Sequence, residues 1–372
     1  MLLCVSLCFF AVFPCVYFGV LPFVLFVFFV VSSCVYFGVL GASLWFGKGV
    51  LYCAAMKQRA SVPVAVTGGD CAGIGPEIAA RAMAAFPEEQ FVLFTNRALF
   101  CRACAAAGVA VPANVHWHEV ALGCAPEAVV PGQNQAATGE VAYQSVVAAG
   151  EAALRGEVRG VVTAPFSKAA LHLAGHTDVP GHTELLARLC GREEATMAFF
   201  SPKLVVSLVT IHCALREVPE RITPARLARV LRDTAGALSR VVGRRPRIGV
   251  MALNPHAGEG GAFGDEEARV IVPTMAACAD AAEFVGPLVP DTALLTEGLD
   301  GFVAMYHDQG LIPFKAVAFR DGVNVTLGLP ILRTSPDHGT AFNLAWQGRA
   351  SAESMVSAIA LLQRLAAERC RG

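Results

Sequence analysis

Short runs of apolar, β-branched residues alternate with longer Ala- and Leu-rich stretches from Met56 to the C-terminus. The runs predict strands over 62–66, 91–95, 160–163, 204–211, 247–253 and 301–306, and the longer stretches predict helices over 76–86, 135–154, 224–241 and 352–368. Thr223 is a good N-cap for the third of these helices, and Pro76 suits the first turn of the first. This alternation predicts an α/β fold with a mostly parallel sheet, covered on both faces. No low-complexity linker follows Met56, so two domains would have to be interwoven.

The first 55 residues do not fit this pattern. Residues 1–47 contain no Asp, Glu, Lys, Arg or His, and the first charge is Lys48. A membrane anchor is one interpretation, because the uncharged run exceeds the roughly 20 residues that span a bilayer. A signal peptide fits less well, because a basic leading region is missing and the apolar run is too long.

A third interpretation is that these residues are not part of the working protein. The heptapeptide CVYFGVL occurs twice, at 15–21 and 34–40, and Met56 is followed by a short polar lead into the first strand. We therefore expect residues 1–55 to be an apolar extension from a mis-assigned start rather than an anchor. The working region would be 56–372, located in the cytoplasm and not associated with a membrane.

The composition argues against two classes of protein, nucleic-acid-binding proteins and disulfide-rich scaffolds. The net charge of -1 argues against a basic nucleic-acid-binding surface. The 13 cysteines are scattered, five of them before Met56, and the CxxC pair Cys101/Cys104 lacks a second pair or a nearby His. We interpret the cysteines after Met56 as small buried residues in a reducing compartment.

Three histidines follow predicted strands: His212 after LVVSLVTI, His256 in ALNPHAGEGG and His307 in GFVAMYHDQG. In α/β folds ligands gather at the carboxyl ends of strands, and neutral imidazole suits a borderline divalent ion. The pattern predicts a shared metal site, with Glu259 and Asp308 available to orient the rings. The alternative for any one of them is a structural histidine.

Several cations could hold an anionic substrate. Lys168, Lys315 and Arg333 accompany the GHTE segment at 181–184, and a phosphate requires fixed cations and hydroxyl or amide donors. Lys315 and Arg333 interrupt apolar or glycine-rich sequence, although a solvated surface charge is the usual role of a lone cation. The glycine-rich loop around 258–264 allows close approach of a ligand, or is a plain turn.

The stretch GDCAGIGPE does not fit the GxGxxG dinucleotide fingerprint and indicates a tight strand-to-helix turn. Asp70 and Glu77 would at most face the cleft from this turn.

Together the motifs resemble the 4-hydroxythreonine-4-phosphate dehydrogenase family of vitamin B6 synthesis. The matching segments are VTGGDCAGIGPE, VTAPFSK, GHTE, the T-x-H ending at His212, LNPHAGEGG, the PDT ending at Thr292, MYHDQGLIPFK and GVNVTLGLPILRTSPDHGTAF. They occur in family order from Thr67 onward. The resemblance implies two interwoven α/β/α domains like those of isocitrate and isopropylmalate dehydrogenases, with the active site in the cleft between them. The outer domain would span about 56–175 plus 310–372 and the central domain about 176–309.

The resemblance also implies the site residues and partners. A divalent ion (Zn, Mg or Co) would be bound by His212, His256 and His307. NAD or NADP would lie against the HGTA loop, formed by Asp337, His338, Gly339, Thr340 and Ala341. The catalytic residues would be Lys315 and Asp308, and the substrate would be contacted by His182, Thr183, Lys315, Asn324 and Arg333. The family is a homodimer that shares its active site between subunits.

The implied reaction is oxidation of 4-phosphooxy-L-threonine, followed by decarboxylation to 3-amino-2-oxopropyl phosphate in pyridoxal 5'-phosphate synthesis. Two segments depart from the family pattern: the first loop has Gly68 and Cys71 where prolines are usual, and PFSK replaces a PINK-like segment. The alternative substrate is therefore D-threonate or D-erythronate 4-phosphate. The proton acceptor would be Lys315 or a metal-bound water, and the sequence leaves both open.

Overall fold

The computed structural model describes the backbone of two short strands near the N-terminus and the whole of residues 62–367. The chain divides into two units, Met1–Ser61 and Val62–Gly372. In the first unit, β1 (Phe26–Val31) and β2 (Cys34–Val39) pair antiparallel, so β2 contains most of the second CVYFGVL copy. The first copy, and with it the expectation about residues 1–55 as a whole, lies outside the described residues. In the described part of the chain no helix is long and apolar enough to cross a membrane.

One sheet runs through the second unit. Its strands are β3 (Val64–Thr67), β4 (Phe91–Thr95), β5 (Val115–Glu119), β6 (Val161–Thr163), β7 (Thr196–Phe200), β8 (Val205–Leu208), β9 (Arg247–Met251), β10 (Glu283–Leu288), β11 (Gly301–Ala304), β12 (Val323–Leu327) and β13 (Arg333–Pro336). Their order is β10-β9-β11-β8-β7-β12-β13-β6-β3-β4-β5. The mostly parallel sheet is confirmed, but the pairs β7–β8, β7–β12 and β12–β13 are antiparallel. The strands from β13 to β5 therefore run opposite to those from β8 to β10.

Helices cover both faces of this sheet. They are α1 (Gly75–Ala84), α2 (Arg97–Ala106), α3 (Ala136–Leu154), α4 (Lys168–Leu173), α5 (His182–Leu189), α6 (Val218–Arg221), α7 (Pro224–Val242), α8 (Val272–Ala277), α9 (His307–Ala318) and α10 (Glu353–Ala367). The predicted cap of α7 is confirmed, because Thr223 Oγ1 accepts a hydrogen bond from the Arg226 amide at 3.2 Å.

The two faces of β7 show how the layers pack. Met197 and Phe199 point to the face covered by α9, where the Phe199 and Phe314 rings lie 5.5 Å apart. Ala198 and Phe200 belong to the cluster that α7 completes with Leu227. Strands with both faces covered are apolar at successive positions, and this explains the continuous apolar runs of the sequence.

The predicted helices and most predicted strands are confirmed to within two residues. The strand predicted over 204–211 ends at Leu208, and the one over 301–306 ends at Ala304, so turns separate these strands from the histidines. The sequence pattern did not predict the strands β5, β7, β10, β12 and β13 or the helices α2, α4, α5, α6 and α9. The division into outer and central domains stays a prediction. The seven cysteines between 62 and 367 are all free. Only Cys71, Cys104 and Cys278 are buried and Cys124 is exposed, so the interpretation of these cysteines as buried residues is wrong for the other four.

Candidate active site

A buried arginine lies at the centre of the site. Arg333, the first residue of β13, is only 3 % exposed, and it forms no ion pair with any residue between 62 and 367. Burial lowers its pKa to about 9, opposed only by the more distant charge of Glu184. The side chain is still cationic at neutral pH. A buried cation without a carboxylate partner is costly, so its presence indicates an anionic ligand.

Neutral oxygen atoms surround the Arg333 guanidinium. Thr163 Oγ1 accepts from Nε at 3.1 Å and from Nη2 at 2.8 Å. Nη1 donates to Thr326 Oγ1 at 3.1 Å and to Asn324 Oδ1 at 3.4 Å. Thr326 is paired with Arg333 across β12 and β13, so their side chains lie on the same face of the sheet. These acceptors hold the guanidinium without neutralising its charge.

The first turn of α5 lies beside the side chains that surround the Arg333 guanidinium. Thr183 Oγ1 is 3.4 Å from Thr326 Oγ1, and no side chain caps the N-terminus of α5. The His182 ring stacks on Phe166 with 3.6 Å between centroids, and its enclosed Nε2 has no partner among the described residues. Burial, assisted by the charge of Arg333, keeps the pKa of His182 well below its usual value. His182 is therefore a neutral ring with a free nitrogen, and the helix start adds amide donors for an anion.

Two of the three predicted metal ligands lie together. The ring centroids of His212 and His307 are 5.9 Å apart. His307 Nδ1 is 2.7 Å from Asp308 Oδ1, the orienting contact expected of Asp308. Loss of hydration lowers the pKa of His212, opposed by Glu184, so its ring is neutral as a metal requires. Glu184 also acts on Arg333, and this links the histidine pair to the anion site.

His256 lies apart from this pair. Within the described residues no group of three His, Cys, Asp or Glu side chains is arranged to hold a metal ion. His256 is the second residue of a turn over Pro255–Gly261 in which six successive residues have positive φ, and its ring centroid lies 6.3 Å from that of Phe263. Glu259, on the same turn, makes no hydrogen bond or ion pair with a described side chain, so the orienting role expected of it is not seen.

Lys315 joins the substrate side to the predicted cofactor loop. Its Nζ is 2.5 Å from Asp337 Oδ2 and donates to the Asp337 carbonyl at 2.9 Å. Burial raises the pKa of Asp337, while Lys315 and, more weakly, His338 and His307 lower it. His307 is therefore near enough to act on the charge of Asp337.

The cofactor loop packs directly on the turn that follows β3. The Ile74 amide donates to the Thr340 carbonyl at 3.1 Å, and Trp346 Nε1 donates to the Cys71 carbonyl at 2.8 Å. Gly73 is required here, because a Cβ at this position would lie 2.8 Å from the Thr340 carbonyl oxygen. Gly339 is exposed, and the space around its Cα is open, so a ligand can approach the loop backbone.

Four residues of the site had no role predicted from the sequence: Thr163, Thr326, Phe166 and Glu184. Each lies inside a quoted motif, VTAPFSK, GVNVTLG or GHTE, but a hydroxyl, a carboxylate or an aromatic ring there has many ordinary structural roles. Contacts with Arg333 and His182 single out the first three, and the effect of its charge on Arg333 and His212 singles out Glu184.

Known proteins share this chain's sequence and fold. A family model described as "Pyridoxal phosphate biosynthetic protein PdxA" matches residues 82–362. The 4-hydroxythreonine-4-phosphate dehydrogenase of Geobacter metallireducens is 44% identical over 323 residues, 82% of this chain and 95% of that protein. The D-threonate 4-phosphate dehydrogenase of Salmonella typhimurium is also 44% identical, over 82% of this chain and 98% of that protein.

A solved structure is similar to this chain in both fold and sequence. The crystal structure of a 4-hydroxythreonine-4-phosphate dehydrogenase from Klebsiella pneumoniae superposes with a TM-score of 0.73 and 41% identity, over 82% of this chain and 98% of that chain. The match covers most of the sequence and both sides of the site. The chain belongs to the PdxA family of pyridoxal phosphate biosynthetic proteins.

Proposed function

We propose that this oxidoreductase oxidises 4-phosphooxy-L-threonine with NAD or NADP as the hydride acceptor. The product, a β-keto acid, then loses CO2 to give 3-amino-2-oxopropyl phosphate for pyridoxal 5'-phosphate synthesis. The observation that carries this proposal is the buried Arg333, which has no ion-pair partner among the described residues and fits a phosphate, at a site that also contains the His212/His307 pair and an open loop.

Arg333 and the first turn of α5 are the proposed phosphate anchor. A guanidinium and helix amide groups suit the oxygens of a phosphate, and the free Nε2 of His182 suits a neighbouring polar group of the same substrate. Asn324 contacts the Arg333 guanidinium, and Thr183 contacts Thr326 beside it. Because Arg333, Thr183 and Thr326 are buried, each contact contributes more than it would at an exposed position.

His212 and His307 would supply part of the ligand set of one divalent ion, Zn, Mg or Co. Both rings are available, since Asp308 occupies only Nδ1 of His307. We propose that His256 of a second copy completes the set, because the three side chains of one chain form no such group. The functional unit would then be a homodimer with shared active sites.

The loop from Asp337 to Ala341 is the proposed cofactor contact. It follows the carboxyl end of β13 and packs on the turn after β3, and this is where ligands bind in open α/β sheets. When bound, the ion would activate the substrate hydroxyl as a Lewis acid and the nicotinamide would accept a hydride.

Lys315 is our candidate acceptor for the hydroxyl proton. It must be uncharged to accept, and Asp337, whose pKa burial raises, is placed to take up the displaced proton. Asp308 would act through His307 and would not contact substrate.

The second candidate substrate is D-threonate 4-phosphate, because the Salmonella typhimurium relative named for it is as similar as the Geobacter metallireducens one. Both substrates carry a terminal phosphate, so Arg333 suits either of them.

A substrate panel tests the proposal. The protein, loaded with Zn2+, Mg2+ or Co2+, is offered each phosphorylated acid with NAD or NADP, and NAD(P)H formation is followed by absorbance. We expect turnover of 4-phosphooxy-L-threonine with CO2 release. If only D-threonate 4-phosphate is turned over, it is the substrate in place of 4-phosphooxy-L-threonine. If the protein turns over none of the phosphorylated hydroxy acids, the proposal is overturned.

A further inference from the structure

We propose that Thr163 is a positioning residue for the anion site: its hydroxyl fixes the guanidinium of Arg333 while leaving the positive charge available to the ligand. The inference rests on the proposed phosphate anchor and adds the residue that orients it. Thr163 ends β6 and is fully buried, between β3 and β13.

The hydrogen bonds of Thr163 constrain the guanidinium plane. One oxygen accepts from both Nε and Nη2, and this blocks rotation about the end of the side chain, while Thr326 holds Nη1 from the other side. Of the five N–H groups of Arg333 at least one, on Nη2, has no acceptor among the described residues. The arrangement thus orients the Arg333 guanidinium and leaves one N–H donor of Nη2 available to a ligand.

The choice of a hydroxyl matters for the charge. A carboxylate at this position would orient the guanidinium equally well, but it would pair with it and reduce its attraction for a phosphate. A neutral acceptor partly offsets the cost of burying the N–H groups and leaves the charge uncompensated. An anion-binding arginine needs this combination.

The neighbouring strand offers a matched control. Thr67 pairs with Thr163 across β3 and β6, is equally buried, and its hydroxyl has no partner among the described residues. Replacing Thr67 by Val removes a buried hydroxyl but no hydrogen bond. Thr163→Val makes the same isosteric change and removes two hydrogen bonds to Arg333.

The experiment measures binding of inorganic phosphate to the full chain by titration calorimetry, and separately kcat and KM for the phosphorylated substrate. For Thr163→Val we expect Kd for phosphate and KM to rise at least about tenfold, with kcat changed less than about threefold, since charged hydrogen bonds carry this much affinity. Thr163→Ser restores the acceptor and should remain within about twofold of wild type, as should Thr67→Val. Thr163→Ala is measured in parallel, and its values are used if the Thr163→Val variant does not fold.

A double-mutant cycle separates an effect through Arg333 from a general one. In the Arg333→Ala background Thr163→Val should cause no further loss of phosphate affinity, because its only route of action is gone. Wild-type affinity in Thr163→Val, equal losses in Thr67→Val, or additive losses in the double variant would each overturn the positioning role. Failure of the wild type to bind phosphate at all would overturn the anchor itself, and with it this inference.

Discussion

Single buried charges are the most informative residues of this protein. Arg333 and Asp70 are both enclosed, and neither has an opposite charge beside it, so burial lowers the pKa of the first and raises that of the second. A folded protein tolerates such groups where function requires them. The two residues lead to different tests, one of binding and one of stability.

Arg333→Ala should lower kcat/KM for the phosphorylated substrate at least about tenfold, since a charge-assisted hydrogen bond contributes about 1.5–3 kcal/mol. The dephosphorylated substrate should lose far less, because it lacks the group that the cation binds. Steady-state kinetics of the wild type and of Arg333→Ala, each with both substrates, measures this difference. Arg320→Ala, at an exposed arginine, is the control. Equal losses on the two substrates would show that Arg333 acts on the fold or on another part of the substrate.

Asp70 should lower the stability of the folded protein at neutral pH. Burial raises the pKa of Asp70 from 3.8 to about 6, and its Oδ2 has no partner among the described residues. The folded state therefore holds this proton more tightly than the unfolded state, and the contribution of Asp70 to stability falls as pH rises from about 4 to about 6.

Asp70→Asn should therefore raise the free energy of unfolding at pH 8 by about 2–3 kcal/mol, at 1.36 kcal/mol per pKa unit, provided the Asn side chain keeps the bond from the Ala72 amide. The gain should shrink toward zero near pH 4, where both states hold the proton. Urea unfolding at the two pH values measures it, with the exposed Asp291→Asn as control. A gain that does not depend on pH would contradict the assignment to this carboxyl.

At the scale of elements, the turn that presents His256 is held in an unfavourable conformation. His256, Ala257 and Glu259 have φ values of 51°, 53° and 42°, and each such residue costs about 1–2 kcal/mol. Buried Glu267 supports the turn: one oxygen accepts from the amides of Leu253 and Asn254, both at 2.8 Å. Its other oxygen accepts from Asn254 Nδ2 at 3.0 Å.

Glu267→Ala should lower the free energy of unfolding by at least about 2 kcal/mol, because two backbone amides and one side-chain amide lose a charged acceptor. It should also weaken Zn2+ binding through His256. Glu259→Ala, on the same turn but exposed, should change neither quantity. Urea unfolding and a zinc titration provide both measurements, and identical behaviour of the two variants would mean that Glu267 does not hold the turn.

At the scale of the whole molecule, residues 62–367 contain a complete sheet with helices on both faces. A chain that starts at Met56 should therefore fold and turn over substrate as the full chain does. Its Tm and kcat/KM, compared with those of the full chain, test this expectation. A lower Tm or a loss of activity in the shorter chain would contradict it.

The proposed sharing of a metal site between two copies of the chain is tested at the scale of the whole molecule. Mixing His212→Ala with His256→Ala should restore up to about a quarter of wild-type activity, because half of the dimers would be mixed and each would have one intact site. His212→Ala mixed with His307→Ala should restore none, since we place both ligands on the same chain. Recovery in both mixtures, or in neither, would rule out the shared arrangement.

The sequence alone determined the fold class and the main strands and helices, because their apolar runs and caps act locally and each run is buried on both faces. It also suggested candidate residues for the site, through motifs that resemble those of the family from Thr67 onward. It did not predict β12, β13, α5 or α9, although these elements carry Asn324, Arg333, His182 and Lys315.

Only the tertiary structure decided which of those residues meet. Arg333 and Thr163 are 170 positions apart, and no local pattern relates a strand-end hydroxyl to a distant arginine. The same holds for His212 and His307, which lie together, and for His256, which does not join them. Contacts of this kind depend on the order and direction of strands in the sheet, and these are set by long-range packing rather than by the residues of any one strand.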